Sequence, residues 1–231
     1  MDELLAEETK SKPASVLLTP IMRLARNPLG GRNFEIYGED PHHVGKLATA
    51  LIQGLKSEGI GATPKHFVAN NLWEIDRFGG NRVVPTLALR EAYLLPFQMV
   101  VRGADPWCIM SVYNRINGSH CDASSEILSG ILRSEWNWNG LVVSDWGATN
   151  TVGPSLKAGM DLEGPGPPFK RTEEAVKESI KNGEVSVEQI EESALRLIHL
   201  LQRAGRFEDA SDVAEVCLNK PEHAQKLRHA V

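Results

Sequence analysis

Five short apolar runs recur along the chain with segments of helical period between them: Val16 to Leu18, GATPKHFV from Gly61, WCIMSV from Trp107, LVVS from Leu141, and Gly159 to Leu162. Runs this short, spaced by helical stretches, read as strands of a parallel sheet joined by βα crossovers. One spacer is well marked: Asp40-Pro41 supplies an N-cap with proline at the first helical position, and Val44, Leu47, Leu51 and Leu55 predict one apolar face, stopped near Gly59. A second, LALREAYLLPFQMVV, should be kinked at Pro96. A third carries Ile127, Leu128, Ile131 and Leu132. Two helices follow the Gly/Pro-rich EGPGPPF, and Ser186 to Gln189 reads as a capping box opening the second, with Ile190, Ala194, Leu197 and Leu201 on one face before Gly205. YNRINGSHCD reads as a loop, and Asn117-Gly118-Ser119 as a turn more readily than as a glycosylation acceptor.

Two α/β architectures compete for this pattern. A closed (β/α)₈ barrel needs eight strands and roughly 250 residues, whereas a doubly wound sheet is complete with five or six strands. The position of the polar residues favours the barrel. Lys65-His66, Ser111 to Asn114 and Ser144-Asp145 all fall at the C-terminal ends of separate strands, the face on which barrels carry their chemistry. After Phe207 the pattern loosens, so residues 1–206 read as the barrel and 207–231 as a linker.

Charge and cysteine usage narrow the partners. The formal charge of -5, from 30 acidic and 25 basic residues, leaves no basic stripe for nucleic acid or anionic lipid. Cys108, Cys121 and Cys217 have no metal-ligand spacing, so neither a disulfide framework nor a metal or other cofactor is expected. MDELLAEETKSKP is acidic and amphipathic rather than a secretory leader, and no apolar run is long enough to span a bilayer, so no membrane partner is expected.

Asp145 sits where a strand delivers its last residue into the mouth of the sheet, either as a reactive carboxylate or as the cap of a following helix. Trp146 beside it is costly to leave wet unless its ring has a ligand such as the apolar face of a sugar. Lys65 and His66 could donate hydrogen bonds to a polyol, be ordinary polar surface, or, for the lysine, form a Schiff base with a carbonyl substrate. Arg32, after two glycines, could clamp a substrate oxygen or pair with Glu35 or Glu39. Glu163 is a strand-end carboxylate or a loop acid.

Taken together, NPLGGRNFEIYGEDP, GATPKHFVANN, LALREAYLLPFQMVVRGADPWCIMSVYNRINGSHCD, ILRSEWNWNGLVVSDWGATN and AGMDLEGPG resemble glycoside hydrolase family 3, on its β-glucosidase side. The resemblance runs almost end to end. It implies a (β/α)₈ barrel of the TIM type, incomplete here and lacking its first strands. It implies a retaining hydrolase of terminal β-D-glucosyl residues, acting on a β-glucoside or oligosaccharide. Asp145 matches the catalytic nucleophile and Trp146 the aromatic of the glucose subsite. Lys65 and His66 match the pair that hydrogen-bonds the sugar, Arg32 the sugar-binding arginine, and Met110 and Tyr113 pocket residues. The acid/base is expected from an α/β sandwich domain beyond these residues. Trp73-Glu74 replaces an acidic stretch usual after KHF, and Leu87 stands where arginine is common. Open barrel edges would favour self-association. The alternatives are a non-catalytic carbohydrate-binding remnant and, less consistent with SDW, an aldolase-type barrel using Lys65.

Overall fold

The computed structural model describes residues 1–71, 76–209 and 214–229; Trp73 and Glu74 lie outside them. The strands are β1 (Val16–Leu17), β2 (Gly61–Ala62), β3 (Asn81–Arg82), β4 (Cys108–Met110), β5 (Arg115–Ile116), β6 (Ser119–His120) and β7 (Leu141–Val143). The helices are α1 (Asp2–Lys10), α2 (Pro41–Ser57), α3 (Thr86–Ala88), α4 (Leu95–Ala104), α5 (Gly153–Ala158), α6 (Glu173–Lys181), α7 (Val187–Arg203) and α8 (Pro221–His229).

The expected parallel succession is present. β1 pairs with β2, Phe67 bridges to Ser111, β4 pairs with β7 in the register Met110 to Val143, and Val143 bridges to Leu162, every pairing parallel. The five strands thus lie side by side in sequence order, with their C-terminal ends on one rim. The last run is shorter than expected. Gly159, at φ 95°, terminates α5, and only Leu162 bridges to the sheet. Among the described residues β1 and Leu162 each pair on one side, leaving two open edges.

α2 forms as its cap signal requires, with Asp40 Oδ1 accepting the His43 N–H at 2.9 Å. Its buried face is Val44, Ala48, Ile52 and Leu55, while Leu47 is exposed and Leu51 half-buried. The stripe is rotated from the expected one because α4 and α1 both pack against α2, and Gly45 lets Met99 of α4 approach closely. The LALREAYLLPFQMVV segment is divided rather than kinked. A wide turn at Leu89–Tyr93, closed by Leu94 N–H on Leu89 O at 2.8 Å, separates α3 from α4, and Pro96 falls in the first turn of α4, where a missing N–H costs nothing. The Glu126–Glu135 helix is also wide-turned and buries all four expected apolar residues.

The capping box of α7 is complete: Ser186 Oγ accepts from Gln189 N at 3.3 Å and Gln189 Oε1 from Ser186 N at 3.1 Å. Its inner face differs from expectation. Leu197 and Leu200 pack with Ala204 on Trp107, Cys108 and Leu141, whereas Ala194 and Leu201 are exposed. YNRINGSHCD is a hairpin, not a loop. Asn117 (φ 49°) and Gly118 (φ 96°) make the two-residue turn joining β5 and β6, and β3 adds in parallel to β5. The Asn117 amide holds both the N–H (2.9 Å) and the C=O (3.0 Å) of Val84, which supports the turn reading of this triplet. No helix among the described residues is long and apolar enough to cross a membrane.

Candidate active site

Asp145 leaves β7 through Ser144, whose N–H bonds to Leu162 O at 2.9 Å. The chain then reverses at once, because Ala148 N–H donates to Asp145 O at 2.9 Å and closes a four-residue turn. Gly147 holds its third position at φ 75°, where a Cβ is disfavoured. Trp146 is therefore the projecting residue of a tight turn. Its ring lies against Gly164, where an added Cβ would come within 2.9 Å of it. Asp145 does not cap a helix: its Oδ1 accepts the Trp146 N–H at 2.7 Å, and α5 begins only at Gly153.

The expected polar residues converge on this carboxylate. His66 Nε2 lies 3.3 Å from Asp145 Oδ2, and both side chains are buried. Arg32 does two things at once. Its Nε pairs with Glu35, as the salt-bridge reading required, and its Nη1 lies 3.5 Å from His66 Nε2. The Tyr113 hydroxyl donates to the carbonyl of Trp146 at 2.9 Å, fixing the turn from the β4 side. Met110, opposite Val143 in the register, is buried in the strand below this group, and its carbonyl accepts the Phe67 N–H at 2.7 Å.

Burial dominates the electrostatics. It raises the Asp145 pKa above the ordinary carboxylate value, against the opposing pull of the Trp146 N–H, the Tyr113 hydroxyl and the charges of Lys65 and Arg32. It pushes His66 well below its usual value, reinforced by Lys65, Arg32 and Arg23, so the imidazole is neutral at pH 7. A neutral ring can donate to Asp145 only in the tautomer carrying its proton on Nε2. Burial and Arg32 lower Lys65, while Asp145 and Glu35 oppose them. Burial and the charge of Asp145 push the Tyr113 hydroxyl up to about 12, keeping it a donor.

Glu163 is a loop acid. Its carboxylate accepts the N–H groups of Phe169 (3.0 Å), Lys170 (3.0 Å) and Arg171 (2.8 Å), which organises the Gly/Pro-rich segment. Two residues absent from the expected set complete one wall. The ring of Phe78 meets Tyr113 edge-on at 4.9 Å, and the Arg77 guanidinium lies 4.4 Å from the Phe78 centroid and 5.6 Å from that of Tyr113. The sequence signal was an aromatic in a polar loop, DRFGGNR; Phe78 is 60% exposed and stacks on Tyr113 and Arg77. No group of three His, Cys, Asp or Glu among the described residues could hold a metal ion.

Comparison with known proteins identifies the family. The model of the glycosyl hydrolase family 3 N-terminal domain matches residues 1–200. The chain belongs to glycoside hydrolase family 3. It is 45% identical over 226 residues to β-glucosidase B of Emericella nidulans, covering 98% of this chain and 27% of that protein. The β-glucosidase of Rhizobium radiobacter is 42% identical over 224 residues, again across 27% of its length. The crystal structure of the Kluyveromyces marxianus β-glucosidase in complex with glucose superposes with a TM-score of 0.93 at 38% identity, over 99% of this chain and 28% of that one. Thermotoga neapolitana β-glucosidase 3B in complex with glycerol gives 0.89 at 37% identity, over 99% of this chain and 33% of that one. The chain thus spans about a quarter of the length of the curated relatives it matches. In this family the parallel strands form an arc of a TIM-type barrel, and the doubly wound alternative falls.

Proposed function

We propose that this chain forms part of a retaining β-glucosidase in which Asp145 is the nucleophile toward a terminal non-reducing β-D-glucosyl residue. The observation that carries the reading is the strand-end carboxylate gathered with a neutral imidazole, two cations and a half-exposed indole on one rim. In such a reaction the carboxylate attacks the anomeric carbon as a second carboxyl, about 5 Å away, protonates the departing oxygen; that second group then deprotonates the water that releases the sugar. Lys65, His66 and Arg32 would hold the sugar hydroxyls, Trp146 would stack on the ring's apolar face, and Tyr113 and Met110 would line the pocket. Glu163 is poorly suited as the second carboxyl because both its oxygens are engaged by backbone N–H groups. We assign that role to a group beyond residues 1–206, with 207–231 leading toward it.

The test is hydrolysis of p-nitrophenyl β-D-glucopyranoside by the chain and by Asp145→Ala, with glucose titration alongside. Turnover lost in the variant is the expected result. Equal rates in both proteins would remove Asp145 from the chemistry. Glucose binding without turnover would instead make the chain a carbohydrate-binding module. The open edges at β1 and Leu162 support self-association of the isolated chain, which sedimentation velocity measures directly.

A further inference from the structure

We propose that Asp122 is a positioning residue for Trp146 and the nucleophile-bearing turn, acting through Asn150. This rests on the reading of that turn as the sugar site.

Asp122 lies in the short helical turn Cys121–Ala123 after the β5–β6 hairpin and is fully buried. Both of its oxygens face one residue. Oδ2 accepts the backbone N–H of Asn150 at 2.8 Å, and Oδ1 accepts the Asn150 side-chain N–H at 2.9 Å. The same Asn150 amide nitrogen reaches back to the carbonyl of Ala148 at 3.0 Å. Ala148 is the residue whose N–H closes the turn on Asp145. A chain of four contacts therefore runs from a buried carboxylate to the backbone of the nucleophile.

The geometry also explains why a carboxylate occupies the position. A fully buried acid is costly unless its lone pairs are filled, and a two-point grip on one asparagine fixes that residue's backbone and side chain together. The positive field of Arg171 acts at the same place: its guanidinium is buried, bonds to Ser155 Oγ at 2.9 Å, and interacts with Asp122, Asp161 and Glu163. Tyr113, between β4 and the β5–β6 hairpin, holds the Trp146 carbonyl, while Asp122 follows the hairpin. The two flanks of the hairpin thus grip the nucleophile loop, at Trp146 through a hydroxyl and at Asn150 through a carboxylate. With Asn150 released, the Tyr113 contact, the His66–Asp145 contact and the Gly147 N–H on Gly164 O (2.9 Å) still tie the first part of this turn to its neighbours.

The experiment uses the chain labelled with 5-fluorotryptophan, with the Trp146 ¹⁹F resonance assigned by Trp146→Phe. Asn150 is exposed, so Asn150→Ala removes the side-chain half of the grip and the contact to Ala148 without opening the core. Its Trp146 resonance should shift or broaden in a chain that still folds, with a melting temperature lowered by the unpaired Asp122 oxygen. Asp122→Asn should do the same, because one amide face then opposes an Asn150 donor. An unmoved Trp146 resonance in both folded single variants would overturn the proposal. Titration with D-glucose separates the two readings: binding to wild type that weakens roughly tenfold in Asn150→Ala, the size of one lost hydrogen bond, supports both. No glucose binding by wild type together with a moved Trp146 resonance removes the sugar reading and keeps the clamp.

Discussion

Asp145 and Asp161 are both buried aspartates flanking the same two neighbouring strands, and they are treated in opposite ways. Asp161 stands at the entry to its strand, its side chain 1% exposed, with every lone-pair direction in use. Oδ2 accepts from Arg133 at 2.7 Å and Val142 N at 2.8 Å, and Oδ1 accepts from Arg196 at 2.9 Å and Ser193 at 3.0 Å. Asp145 stands at the exit of the other strand, with one backbone N–H and one neutral imidazole against it and the Tyr113 hydroxyl beside it. Its cations, Lys65 and Arg32, act through their fields. A carboxylate saturated with guanidinium groups holds elements together, here the 126–135 helix, β7 and α7. A carboxylate left with spare lone pairs is available to a substrate.

The sharpest way to break this contrast is to neutralise each acid in turn. Asp161→Asn leaves two buried guanidiniums facing an amide and should cost about 3–5 kcal/mol, read from urea unfolding. A loss near zero would show that the network contributes little. Asp145→Asn should change stability less, and in the other direction. Burial sets the folded-state pKa of Asp145 above its unfolded value, so between the two values the native state binds the extra proton, and above that window the ionised group costs stability. The variant should therefore melt higher than wild type at pH 7, with the gain shrinking as the pH falls through the carboxylate range. A lower melting temperature at pH 7 would mean that the Trp146 and His66 contacts outweigh desolvation. Smallest is Ser193→Ala, which removes one of the four contacts on Asp161 and should cost about 1 kcal/mol by the same unfolding measurement. A cost as large as that of Asp161→Asn would mean that the hydroxyl, not the ion pairs, organises the joint.

Legibility in the sequence followed the range of each signal. The Asp40 and Ser186 caps were readable because a cap is made within four residues. The strands were readable because a strand buried on both faces must be continuously apolar. Which stripe of α2 or α7 turned inward was not, since that depends on which neighbours pack there: Ala48 and Ser193 are buried in place of Leu47 and Ala194. The Asn117-Gly118 turn was readable because it is made locally, whereas the strands on either side of it were not, since β5 pairs with β3 from far back in the chain.

The sequence by itself determined the βα alternation, the polar residues at the strand ends and, through long motifs in order, membership of the family. It placed Arg32, Lys65, His66, Tyr113, Trp146 and Asp145 as candidates on separate segments. Only the tertiary structure decided that Arg32 serves Glu35 and His66 together, that Glu163 belongs to its own loop, and that Phe78, Arg77 and Asp122 stand around the same turn. Pattern and spacing report what a segment does to its own backbone. The protonation and availability of a side chain depend on which distant groups fold against it, and burial, the largest influence on Asp145 and His66, exists only once the strands are side by side.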